Sequence, residues 1–76
     1  MKIKQQCISF KNSHGVFCLK IGSVYNFDIV DRVTGETIPA YELRVMSHTV
    51  NFIQVLDTNG RMEYINKDAI SFDCET

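Results

Sequence analysis

Apolar and polar residues alternate in short runs along this chain. In residues 24–31, Tyr25, Phe27 and Ile29 fall on one face and Asn26 and Asp28 on the other. A repeat of two is the signature of a half-buried strand. Residues 16–21 repeat it, with Phe17, Leu19 and Ile21 set against Cys18 and Lys20. Residues 41–46 do so again, with Tyr41, Leu43 and Val45 expected inward and Glu42 and Arg44 outward. No stretch carries the i, i+3, i+4, i+7 stripe of an amphipathic helix over ten residues. The chain therefore reads as all-β.

Turn formers punctuate the runs. Asn12-Ser13-His14-Gly15 separates an apolar stretch over residues 2–10 from residues 16–21, so the two read as a hairpin. Gly22-Ser23 and Thr34-Gly35 break the chain again, and Pro39 marks a strand start or an edge, since it has no N–H for a ladder. Ser47-His48 reads as a turn before residues 50–57. Asn59-Gly60 predicts a tight type I′ hairpin joining that run to residues 62–65. The segment from Asn66 to Ala69 predicts a single 3₁₀ turn capped by Asn66. Residues 70–74 close the chain, with Ile70 and Phe72 expected on one face.

Six or seven short strands with no room for a helix predict one small antiparallel β-barrel over residues 1–76. The order of elements resembles that of SH3-like barrels over residues 16–74. The shared features are a meander of strands, the tight turn at Asn59-Gly60, the turn from Asn66 to Ala69 and a final strand over residues 70–74. The first strand is then an addition. The peptide-binding members of that fold use an acidic loop, paired aromatics and Trp. This chain has no Trp, so proline-peptide recognition is not carried over. An OB-type barrel is the alternative architecture.

Composition narrows the function classes. With 45% hydrophobic and 22% charged residues the chain is not of disordered type. The polar start MKIKQQCISF lacks the apolar centre of a secretory leader, and no apolar run reaches the ~18 residues of a membrane span. A cytoplasmic location is expected, and with it reduced cysteines at Cys7, Cys18 and Cys74. A hairpin turning at Asn12-Ser13 would set Cys7 opposite Cys18; one turning at Ser13-His14 would leave them diagonal.

Catalytic and metal signatures are missing. The four glycines are isolated, each at a turn, and no CxxC, HxH or HExxH spacing occurs. His14 and Cys18 are the nearest Cys–His pair, but a nucleophile also needs an orienting group and a pocket. The sequence predicts no enzyme, cofactor or metal.

The charge is unevenly placed. Residues 1–27 contain Lys2, Lys4, Lys11 and Lys20 and no acid, whereas residues 28–76 set four cations against nine acids. Such a split can mark a partner surface or can be spent on cross-strand pairs. Residues 50–56 are apolar on both faces, with Val50, Phe52 and Leu56 on one and Ile53 and Val55 on the other. A small barrel buries only one face, so the other must meet the first strand, a partner or a second copy.

The expected function is that of a non-enzymatic protein-interaction module docking on a larger protein. A small accessory or inhibitory factor of the kind found in phages and mobile elements fits that description. Its candidate surfaces are basic (Lys2, Lys4, Lys11, Lys20) and apolar (Phe52, Ile53). The alternatives are a nucleic-acid-binding barrel using the lysines and exposed Tyr25, Tyr41 or Tyr64, and a homodimer.

Overall fold

The computed structural model describes residues 6–76. Seven strands follow one another: β1 (Cys7–Asn12), β2 (Gly15–Lys20), β3 (Val24–Val30), β4 (Thr37–His48), β5 (Phe52–Leu56), β6 (Met62–Asn66) and, after a 3₁₀ turn at Lys67–Ala69, β7 (Ile70–Glu75). They make two antiparallel sheets. Among the described residues β1 and β2 pair only with each other, and the remaining strands form a five-stranded sheet in the order β6-β5-β4-β3-β7. The all-β class holds. The closed barrel does not: β6 and β7 end the larger sheet at opposite edges. The β1–β2 hairpin packs onto one face of that sheet instead of bridging its edges.

The core lies between the two layers. Ile8, Phe17 and Leu19 come from the hairpin; Tyr25, Phe27, Leu43, Val45, Ile53, Val55, Ile65 and Ile70 come from the sheet. Alternation explains the hairpin's share. The register Ile8↔Leu19, Phe10↔Phe17 and Asn12↔Gly15 puts these pairs on one side, and the Phe10 and Phe17 rings stack at 5.2 Å. The opposite side carries Cys7, Ser9, Lys11, Val16, Cys18 and Lys20, all exposed.

Polar ties fix the hairpin at both ends. The Lys20 N–H donates to the buried Tyr25 Oη at 2.8 Å. At the other end the Asn12 amide reaches the 3₁₀ turn, donating to the carbonyls of Lys67 at 2.7 Å and Ile70 at 2.8 Å. Between β2 and β3, Gly22 adopts φ 94, which only glycine tolerates well. Its N–H bonds the Val45 carbonyl at 2.7 Å, clamping the connection onto β4.

Three irregularities in the ladders reverse side chains that simple alternation places wrongly. Glu42 sits at φ 54, and its N–H is taken by Asn26 Oδ1 at 2.8 Å, within the register shift between Tyr25 and Phe27 of the β3–β4 ladder. The extra residue in β4 turns Tyr41 out to solvent, while Leu43 and Val45 stay inside. Ser71 is the extra residue in β7, so Ile70 is buried while Phe72 is exposed, although the sequence puts both on one face. Met46 is the extra residue where β4 meets β5, and β4 runs through Ser47 and His48 instead of turning there. Bulges of this kind re-aim side chains and bend a strand.

The loop ahead of β6 also differs from expectation. Among the described residues Glu42 is the only non-glycine with positive φ, so Asn59-Gly60 is not a type I′ turn. Instead the Gly60 N–H bonds the Asp57 carbonyl at 3.1 Å, Gly60 takes φ 80, and the Asp57 carboxylate accepts from the Asn59 and Arg61 N–H groups. This is a type I turn followed by a left-handed glycine. The 3₁₀ turn is capped as its sequence predicts, with Asn66 Oδ1 accepting from Asp68 N–H at 2.9 Å. Pro39 lies where β4 has β3 on one side and no strand on the other, because β5 pairs only with residues 44–48. That is the edge position a missing N–H requires.

Candidate functional site

With one face of the five-stranded sheet covered by the hairpin, the other is left to solvent, and its composition is unusual. Register carries a continuous row across four strands: Val24↔Arg44, Arg44↔Leu56 and Leu56↔Met62. The neighbouring rows are Ser47↔Gln54 with Gln54↔Tyr64, and Phe52↔Asn66. Phe52, Met62 and Tyr64 are 40%, 52% and 61% exposed, with exposed Met46 and half-buried Leu56 beside them. Several large apolar groups gathered on one face of so small a domain form a patch rather than scattered exposure.

The patch is held in shape. Gln54 lies among its members, and its amide donates to Tyr64 Oη at 3.1 Å and contacts Met62 Sδ. The Gln54 carbonyl oxygen accepts from Ser47 Oγ. One side chain thus orients a ring and a thioether at once. Fixing these groups beforehand reduces the entropy lost when a partner covers them. Next to the patch lies an open depression of ≈ 350 Å³ floored by Val24 and Leu56 and rimmed by Glu42, Arg44 and Asp57. Arg44 is anchored by its own bond to the Gly22 carbonyl.

The sheet edges are guarded. Glu63 pairs with buried Val55 and so projects from the core side of edge strand β6. On β7, Asp73 opposite buried Phe27 takes the same position. A charge on the core side of an edge strand discourages a further strand from adding there, because continuation would bury it. Asp73 already registers this: partial burial raises its carboxyl pKa above the ordinary range, opposed by a backbone hydrogen bond.

The sequence-derived site residues separate. Phe52 lies in the patch, but its neighbour Ile53 is 0% exposed and belongs to the core, which corrects its place on the apolar surface. The reason is period two: successive residues of β5 face opposite layers. Lys2 and Lys4 lie outside the described residues. Lys11 and Lys20 share the solvent side of the hairpin, in the other layer from the patch. Lys20 is paired with Glu75 at 3.3 Å, so part of the charge split is spent on an ion pair between the two sheets. Its ammonium is held above its ordinary pKa first by that hydrogen bond and then by the charge of Glu75. Tyr25 is core, whereas Tyr41 and Tyr64 are exposed.

Met62 completes a surface of which the sequence reading has only Phe52 and Leu56 on one face. The signal was available in the 56–62 hairpin register, which sets Leu56 beside Met62. Among the described residues no three His, Cys, Asp or Glu side chains gather as metal ligands, and no helix is long and apolar enough to cross a membrane. No protein-family model matches this chain, nor does any curated protein or solved structure.

Proposed function

We propose that this chain is a non-enzymatic protein-interaction module that docks the outer face of β4, β5 and β6 onto an apolar surface of a larger protein. The observation that carries this reading is the exposed, mutually braced group Phe52, Met62 and Tyr64 around Gln54. Aromatic and methionine side chains are the types enriched at the centres of protein interfaces. The guarded edges favour contact through the face over strand addition. By occupying a surface of its partner the module acts as an accessory or inhibitory factor. A cytoplasmic setting is proposed with it, supported by three unpaired cysteines.

The strand order β7-β3-β4-β5-β6, with a 3₁₀ turn leading into β7, supports reading the larger sheet as an opened SH3-like arrangement to which β1 and β2 are added. In that reading the added hairpin fills the interior and the exterior is left for binding.

The test is affinity capture with the folded chain as bait, compared with its Tyr64→Lys and Met62→Lys variants. The expected result is a partner retained by the parent chain and lost from both variants, whose circular dichroism is unchanged. A ligand that survives these substitutions but disappears with nuclease treatment, or with Lys11→Glu, overturns the proposal in favour of nucleic-acid binding through the hairpin. Phosphate contacts also weaken steeply with salt, which gives that outcome an independent mark.

A further inference from the structure

The depression beside the patch continues the same face. Register sets Leu56 between Met62, a member of the patch, and Arg44, on the rim of the depression. Leu56 therefore serves both, and with Val24 it floors the depression. The rim is charged but not internally neutralised. Glu42, Arg44 and Asp57 all line it, yet among the described residues the one ion pair is that of Lys20 with Glu75. The Arg44 guanidinium is engaged by the Gly22 carbonyl. Asp57 Oδ1 accepts from the N–H groups of Asn59 and Arg61, both at 2.9 Å, which fixes the carboxylate and leaves Oδ2 without a donor among the described residues. The Glu42 carboxylate likewise has no partner among the described residues.

Glu42 is the informative member. Its φ of 54 is a conformation that glycine adopts freely, so the backbone gains nothing from a glutamate there. Its side chain is exposed and outside the core. What the residue supplies is a carboxylate, which the bulge re-aims to the rim of the depression. A strained backbone position whose side chain the fold does not use points to a function for that side chain.

We infer that the depression receives one lysine or arginine side chain of the partner, next to an apolar group that covers the patch. This recognition rests on the docking face proposed above, and it states what that face selects. Such a side chain has an aliphatic stem, which lies along Val24 and Leu56, and a charged head, which stays at the wet rim with Glu42 and Asp57. Two carboxylates against one guanidinium that is already bonded set the sign of the charge selected. Met62 and Arg44 lie on either side of the strand that holds Leu56. At ~4.8 Å per strand that separation is about 10 Å, so the cation and the apolar group are about three residues apart in an extended partner segment.

The experiment exposes an array of random peptides to the folded full chain at low ionic strength and reads which residues are enriched among those that retain it. The expected enrichment is lysine or arginine about three positions from an aromatic or large aliphatic residue, with retention falling as salt rises. Glu42→Gln should weaken binding of a selected peptide by about three- to tenfold. It should also erase the preference for a cation while the apolar preference persists. Glu42→Gly should do the same although its melting temperature rises, which separates lost recognition from lost folding. Enrichment of Asp or Glu, or a basic preference that Glu42→Gln leaves intact, overturns the inference; the docking face still stands if Tyr64→Lys abolishes retention. Retention indifferent to both Tyr64→Lys and Met62→Lys removes the docking face and this inference with it. An array on which no peptide retains the chain also overturns the inference.

Discussion

The Asn12 side-chain amide donates to the Ile70 carbonyl at 2.8 Å, linking the tip of the first hairpin to the start of the last strand across 58 positions of the sequence. The same amide donates to the Lys67 carbonyl at 2.7 Å, while its oxygen accepts from the N–H groups of His14 and Gly15. Asn12 shapes its own turn and ties that turn to the 3₁₀ segment. No other natural residue offers two donors and an acceptor at this reach.

The first prediction follows directly. Asn12→Ala should lose about 1–3 kcal/mol in urea unfolding, because two part-buried carbonyls lose their donors. Asn12→Asp keeps the turn acceptor but brings a carboxylate against both carbonyls. It should be no more stable than the alanine variant at neutral pH. An aspartate variant equal to the parent would show that the tie contributes nothing.

A second prediction concerns Glu42. Its φ of 54 is a left-handed conformation that costs an L-residue about 1–2 kcal/mol. Glu42→Gly removes that strain, partly offset by the freer unfolded chain, for a net gain of about 0.5–1 kcal/mol. Glu42→Val should instead be destabilising, since β-branching worsens the clash. Thermal melts of the two variants should move in opposite directions.

The bulge at Glu42 also marks the limit of what the sequence discloses. The alternation of Phe17, Leu19, Tyr25, Phe27, Leu43 and Val45 is plain in the residue order, and all six are buried. Tyr41 and Phe72 fit the same alternation and yet face solvent. Whether a strand carries an extra residue depends on its neighbour, here on Asn26 capturing the Glu42 N–H, and a single strand's pattern does not contain that information. The same holds at residues 57–61, where the Asp57 carboxylate selects the turn type. That residues 50–56 are apolar on both sides was legible. Which side would be covered was not, since it depends on where the hairpin docks.

The third prediction is a pH dependence. Partial burial raises the Asp73 pKa in the folded chain above its unfolded value. The charged form is thus disfavoured by folding. The penalty is absent below the unfolded pKa of ~3.9 and complete above the folded value, so this group's contribution to stability falls as pH rises through that window. Asp73→Asn should stabilise the chain at pH 7 by less than about 1 kcal/mol, since solvent screens a half-exposed group. The gain should vanish in acid. A gain that persists unchanged at low pH would assign it to packing or hydrogen bonding instead.

The last prediction separates folding from binding with two adjacent residues. Ile53 is wholly buried, and Ile53→Ala should cost about 2–5 kcal/mol by loss of packing and the cavity left behind. Phe52 faces the other way and is substantially exposed, so Phe52→Ala should cost about 1 kcal/mol or less. If the outer face is the docking surface, the order reverses for partner capture. Measured well below its unfolding midpoint, the Ile53→Ala chain should still capture partner, because its surface is unchanged. The stable Phe52→Ala chain should lose capture by about tenfold or more, as expected for an aromatic anchor at an interface centre. Equal capture by Phe52→Ala and the parent would remove this face from the binding surface while leaving the account of the fold intact.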